Sequence, residues 1–282
     1  MYLRYPEFKD KVVIVTGAGS IPGKKPSIGY ATAQKFAKNG ANVAIVDVNE
    51  TYGTHSLELL YGQGFEPTFI QADMGDKLQI KEMVNRVNGE LGPPFVLVTA
   101  AGIEKVGQNF VEMPEQDLDR ILDVNLAGPL YCCRGVIPYM VQNGGGRIAL
   151  VGSIQGNVTL GEPTSYQLSK AAMKALARNI AFEYGSMGIR ANNIEPGAIA
   201  TGGMGEGRGP FPEEMRSRIA MNRRGHPDEI ANVILFHCSE EASYVNGTSI
   251  LVDGGWLAGG TPMKVSDNIP NDPDPRVKTS SK

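Results

Sequence analysis

Tyr166 and Lys170 stand four residues apart near the start of a stretch with helical periodicity, so their side chains share one helix face. Hydride transfer from an alcohol needs a base for the hydroxyl proton. A tyrosine, with an ordinary pKa of about 10, can be that base only where positive charge stabilises its phenolate. Lys170 can supply the charge. The spacing alone is cheap, since Tyr5 and Lys9 share it, but that second pair contains Pro6, precedes the first apolar run and has no catalytic companion. Tyr166 instead follows Ser153 by 13 residues, and Ser153 comes directly after the apolar run GRIALVG at 146–152.

What must position these side chains is an alternation of short apolar runs with helical stretches. Strands are predicted at 11–17, 42–47, 67–72, 94–100, 146–152, 189–194 and 248–252, and helices at 28–39, 51–61, 76–90, 114–142, 164–187 and 227–238. Strands alternating with helices imply an α/β doubly wound, Rossmann-like parallel sheet with helices on both faces, whose ligands bind beyond the carboxyl ends of the strands. Ser153 then falls on the ligand edge. No internal repeat interrupts the pattern, so a single domain over 1–258 is expected, including an irregular loop at 201–224. Residues 259–282, with four prolines and little apolar periodicity, read as an extended or disordered tail.

The first strand is followed by Thr16-Gly17-Ala18-Gly19-Ser20, and the next helix opens at Ser27-Ile28-Gly29. A helix N-terminus at that edge offers unpaired N–H groups and positive dipole to a pyrophosphate, so a dinucleotide is the first expectation. The spacing is unusual, because Pro22 stands where GxGxxG requires glycine. Lys24 and Lys25 either reach the phosphates or form a solvated loop tip, and Ser27 either caps the helix alone or also binds phosphate. Asp47 ends the second strand, where a carboxylate suits a ribose 2′-OH and repels a 2′-phosphate, favouring NAD; the alternative is a turn or cap before Asn49. Asp73, ending the third strand, fits either the adenine edge or a turn.

Composition narrows the class. A net charge of −3 with scattered basic residues argues against a nucleic-acid partner. The apolar runs are far shorter than a membrane span, and the polar N-terminus lacks the apolar core of a secretory signal. Three cysteines, Cys132, Cys133 and Cys238, are too few and too oddly placed for a disulfide framework or a four-ligand zinc site, so they are expected as buried hydrophobes in a reducing cytoplasm, with no metal.

Taken together, TGAG after the first strand, Asp47, Asn125, Ser153, Tyr166-Gln-Leu-Ser-Lys170, Pro196-Gly197 and Val252-Asp-Gly-Gly255 resemble the short-chain dehydrogenase/reductase family over about residues 8–257. The resemblance implies that Tyr166 is the acid/base and that Lys170 binds the nicotinamide ribose and lowers the Tyr166 pKa. It also implies that Ser153 hydrogen-bonds the substrate oxygen and Asn125 holds a water in a proton relay. Read from the residues alone, Ser153 also fits a strand-end turn, and Asn125 a buried polar position in a long helix. Cofactor contacts implied with Asp47 and Asp73 are Gly17, Gly19, Ser27, Ile28, Ala101, Gly102, Tyr166, Lys170, Pro196, Gly197 and Thr201.

Two departures from the family pattern stand out. About six extra residues lie between Ser20 and Ser27, with Ser27 in place of a glycine, and Thr99-Ala100-Ala101-Gly102 replaces the usual Asn-Asn-Ala-Gly. The longer loop resembles the branch containing enoyl reductases, whose Tyr-to-Lys spacing is wider than four. The expected activity is NAD-dependent interconversion of a secondary alcohol and a ketone on a polar small molecule of the sugar, polyol or hydroxy-acid type. Glu104, Gln155 and Glu162, beyond strand ends, and Met204, Arg208 and Phe211, in the 201–224 loop, are the substrate-contact candidates. Reduction of a 3-oxoacyl or cyclic ketone is the competing enzyme reading, and a non-catalytic NAD-binding sensor or scaffold is the alternative of another class. The resemblance further implies a homotetramer or homodimer through 114–142, 164–187 and the Val-Asp-Gly-Gly-Trp segment.

Overall fold

Alternate residues of the central apolar runs enter opposite cores, which is what a strand buried on both faces requires. In the computed structural model, which describes residues 4–104, 109–160, 164–202 and 211–259, the runs become seven strands. They are β1 Val12–Thr16, β2 Asn42–Asp47, β3 Thr68–Gln71, β4 Pro94–Thr99, β5 Gly146–Val151, β6 Ile189–Pro196 and β7 Ser249–Val252. All pair in parallel in the order β3-β2-β1-β4-β5-β6-β7. The helices are α1 Ile28–Lys38, α2 Glu50–Tyr61, α3 Lys77–Glu90, α4 Glu115–Leu122, α5 Gly128–Gln142, α6 Thr164–Tyr184, α7 Glu213–Arg216 and α8 Pro227–Cys238.

Val12, Ile14, Leu97, Ile148 and Leu150 face one core with Ile80, Met83 and Val84 of α3, Val136 and Met140 of α5 and Met173 of α6. Val13, Val15, Val96, Val98, Ala149 and Val151 face the other, with Tyr30, Ala33 and Phe36 of α1, Leu60 of α2 and Ile230 and Ile234 of α8. The doubly wound expectation therefore holds. The chain winds outward from β1 to β3 and returns through β4, leaving a crevice above the β1/β4 pair where the winding reverses.

Two predicted helices are corrected. The helix expected over 114–142 is two helices, α4 and α5, separated by a wide turn over Asp123–Ala127 in which Gly128 N–H bonds back five residues to the Asp123 carbonyl. Pro129 has no N–H to give the carbonyl four residues back, and that carbonyl belongs to Asn125. Gly128 is needed beside it, because a Cβ there would lie 2.5 Å from the Met74 carbonyl. The helix expected to 187 ends at Tyr184, in a short 3-10 turn closed by Gly188 at φ +81°.

Cys132, Cys133 and Cys238 are buried free thiols. Among the described residues no helix is long and apolar enough to cross a membrane. The tail from 260 onward lies outside the described residues.

Candidate functional site

A cleft of about 760 Å³ opens at the carboxyl ends of β1, β2, β4, β5 and β6. At one end, β1 runs into Gly17, whose φ of +63° turns the chain; a Cβ there would lie 2.6 Å from the Ala101 Cα in the loop after β4. The loop after β4 is in turn held by Ala101 N–H donating to the Thr16 hydroxyl at 3.2 Å. Ser27 caps α1, its Oγ accepting from Tyr30 N–H at 3.0 Å, so of its two readings capping is observed directly. The next two residues, Ile28 and Gly29, line the cleft at the positive end of the helix. Gly29 is the close-packing glycine, since a Cβ would lie 2.2 Å from the Gly17 carbonyl oxygen.

Asp47 lines the same end. One carboxylate oxygen accepts from Gly19 N–H at 2.8 Å and the other from Asn49 N–H at 3.0 Å, which fixes the negative charge while leaving lone pairs for hydroxyl donors. The extra residues of the first loop fold across the cleft rather than away from it. Ile21 and Lys25 line it, and the Lys25 carbonyl accepts from Gly202 N–H at 3.1 Å, joining this loop to the segment after β6.

At the other end, Tyr166 and Lys170 project from the first turns of α6, with Lys170 Nζ 5.7 Å from the Tyr166 ring centroid. Lys170 is 6% exposed and donates to the Val151 carbonyl at 2.9 Å. Burial lowers its pKa to about 8, partly offset by the Glu104 charge. Ser153, at the exit of β5, accepts from Gln155 N–H at 3.1 Å, so its own hydroxyl hydrogen remains to be donated. Gln155 lines the cleft, and its amide oxygen is buried without a donor among the described residues.

Asn125, in the wide turn, engages both ends of its amide with one residue. Its Oδ1 accepts from Ile103 N–H and its Nδ2 donates to the Ile103 carbonyl, each at 2.8 Å. Its side chain thus holds the loop that carries Gly102, where a Cβ would lie 3.4 Å from Lys170 Nζ and 3.5 Å from Asn125 Oδ1. Pro196, Gly197 and Thr201 line the cleft as the chain leaves β6, and a Cβ on Gly197 would lie 2.7 Å from the Asp253 Cα.

The cleft thus brings together Gly17, Gly19, Ser27, Ile28, Asp47, Ala101, Gly102, Glu104, Ser153, Gln155, Tyr166, Lys170, Pro196, Gly197 and Thr201. Neither Asp73 nor Asn125 is among the residues that line it; the Asp73 carboxylate accepts from Gly75 N–H at 2.8 Å and pairs with Arg120 at 2.9 Å. Glu162, Met204 and Arg208 lie outside the described residues. Phe211 is in the wall, packed, as Leu160 and Met215 are, against the cluster of Ile154, Ile219 and Trp256. Tyr52, Leu160, Arg224 and Trp256 also line the cleft, and the sequence reading missed them. Only Trp256, directly after the Asp-Gly-Gly turn beyond β7, had a neighbouring motif to point at it.

The residues present fit a dinucleotide: glycines where the backbone turns and packs closely, the start of α1, Lys25 for phosphate, and the fixed Asp47 carboxylate for ribose hydroxyls. A family model described as enoyl-(acyl carrier protein) reductase matches residues 23–257. An uncharacterised oxidoreductase of Thermotoga maritima is 37% identical over 257 residues, covering 89% of this chain and 99% of the relative. The 7alpha-hydroxysteroid dehydrogenase of Escherichia coli is 33% identical over 246 residues, 87% of this chain and 93% of its own. Among solved structures, a short-chain dehydrogenase/reductase from Burkholderia xenovorans superposes with TM-score 0.83 at 32% identity, covering 90% of this chain and 99% of that one. A blue fluorescent protein from a metagenomic library, in complex with NADPH, superposes with TM-score 0.80 at 30% identity over 88% of this chain and 98% of its own.

Proposed function

The chain belongs to the short-chain dehydrogenase/reductase family, and from that premise we propose that it is a NAD-dependent oxidoreductase interconverting a secondary alcohol and a ketone. The observation that carries the reading is that Ser153, Tyr166 and Lys170 line the same cleft as Gly17, Gly19 and Asp47. When bound, the nicotinamide accepts or returns a hydride.

The chain's own groups do the rest. Tyr166 takes the hydroxyl proton as the alcohol is oxidised and returns it in reduction. Lys170, one helical turn away, stabilises the phenolate when protonated, and the N–H groups it does not give to Val151 are available to ribose hydroxyls. Ser153 donates its free hydroxyl hydrogen to the substrate oxygen, holding it beside Tyr166. The Asn125 carbonyl, which Pro129 cannot serve as an α-helical donor, is suited to hold a relay water, while the Asn125 amide steadies the Ile103 loop.

Asp47 supports NAD over NADP, since a 2′-phosphate at the end of β2 would meet a carboxylate already fixed by two N–H donors. The spacing of four between Tyr166 and Lys170 supports alcohol chemistry over enoyl reduction. The test is parallel titration with NAD and NADP, followed by NADH formation on a panel of polyols, sugars, hydroxy acids and cyclic alcohols. Tyr166→Phe is expected to lower turnover by about two to four orders of magnitude with NAD binding retained. Equal turnover, or no binding of either dinucleotide, overturns the reading.

A further inference from the structure

Two adjacent arginines behave differently. Arg223 is bound by both oxygens of Glu229, at 2.9 and 2.7 Å. Arg224 lines the cleft, and none of its guanidinium N–H groups has an acceptor among the described residues; its Nε is buried without one. Leaving such donors unpaired is costly, and a cleft-lining guanidinium left this way is matched to a ligand that supplies the acceptor.

The side chain is held ready for that ligand. Its guanidinium carbon sits 5.1 Å from the Phe211 ring centroid, a cation–π contact that occupies one planar face and leaves the N–H edge for an anion. Its main chain is fixed as well. Next to it, Gly225 N–H donates to the Ala198 carbonyl and the Gly225 carbonyl accepts from Ala200 N–H, both at 2.9 Å, tying Arg224 to the segment leaving Pro196-Gly197. Phe211 packs on the cluster that contains Ile154, the residue directly after Ser153. Arg224 is therefore joined through Phe211 to the wall beside Ser153, whereas the Lys25 carbonyl is bonded to Gly202 N–H.

We infer that Arg224 binds the carboxylate of the substrate, so that the alcohol oxidised is a hydroxy acid and the product an oxo acid. This rests on the dehydrogenase reading above and narrows its substrate class. A planar fork of N–H donors matches a carboxylate in two parallel bonds. The apolar side chains of Ile154, Leu160 and Phe211, which line the same cleft as Ser153 and Arg224 and belong to one cluster, suit a hydrocarbon segment separating the reacting carbon from the acid. In the reaction the carbinol C–H and O–H bonds break and the C=O bond forms. The hydride pair goes to the nicotinamide and the proton to Tyr166, while the carboxylate is unchanged.

The experiment compares hydroxy acids of four to eight carbons with their methyl esters on NAD-saturated protein. Binding is read from the fluorescence of Trp256, the sole tryptophan, which lines the cleft, and turnover from NADH. At least one acid is expected to exceed its ester in affinity and in kcat/KM by on the order of tenfold or more. Arg224→Gln should bring the ratio near one with NAD affinity unchanged, and Arg224→Lys should restore it in part. The inference is overturned if no acid exceeds its ester, or if Arg224→Gln leaves the ratio intact. It is also overturned if Arg224→Gln weakens NAD binding by the same factor, which would make Arg224 a ligand of the cofactor phosphate. Failure of the dehydrogenase reading itself shows separately, as absence of NAD binding before any acid is added.

Discussion

Lys170 carries an ammonium group into a site that is 6% exposed, and the cost of doing so can be measured. Its pKa falls from 10.5 to about 8, with burial the main cause and the Glu104 charge opposing it. The folded chain therefore binds fewer protons here than the unfolded chain between pH 8 and 10.5, so stability rises with pH through that window, and the cost is fully present below it. The shift corresponds to a cost of about 3 kcal/mol at pH 7, falling to about 1 kcal/mol at pH 10. Lys170→Met removes the charge and keeps most of the apolar stem, at the loss of the bond to the Val151 carbonyl, worth about 1 kcal/mol. The variant is expected to be about 2 kcal/mol more stable than the parent at pH 7 and nearly level with it at pH 10. Denaturant unfolding of both proteins at the two pH values measures this, and other titrating groups cancel in the difference. A stability difference that does not change with pH would refute the argument that Lys170 pays for burial of its charge. The stabilised variant should be catalytically inert, since the same ammonium is what the Tyr166 phenolate needs.

Asp47→Ala is expected to reduce the preference for NAD over NADP by about tenfold or more, measured as the ratio of the two dissociation constants; an unchanged ratio removes Asp47 from the ribose site. Lys25→Gln should weaken NAD binding by about three- to tenfold at low ionic strength and less in high salt, with Lys24→Gln as a control whose side chain does not line the cleft. Titrations at two salt concentrations check it, and equal affinity in all three proteins would assign Lys25 to solvent. Gly29→Ala must push α1 away from the Gly17 carbonyl, 2.2 Å from the new Cβ, and should lower stability by about 2 kcal/mol together with NAD affinity. Unfolding and titration of the same sample read both effects.

The alternation of apolar runs and helical stretches was enough to specify the parallel sheet, because strand and helix periods are local properties and the central runs, β1, β4 and β5, are too apolar to leave either face in water. The same locality made Tyr166 and Lys170 legible: four residues on a helix is one turn, whatever packs around it. Ser153, Asp47 and Gly17 were legible because strand ends in such a sheet share one edge. Tertiary contact decided what local pattern could not. Pro129 and the close approach of Gly128 to Met74 opened the helix at Asn125, and Arg120, 47 residues away, drew Asp73 into a turn. The added residues before Ser27 read from sequence as either a phosphate contact or a loop tip. The Gly202 N–H bond to the Lys25 carbonyl, made across the fold, sets them across the cleft. Arg223 and Arg224 are identical in type and adjacent in sequence, and what separates the arginine paired with Glu229 from the one that has no acceptor among the described residues and stacks on Phe211 is which side chains the fold sets opposite each of them.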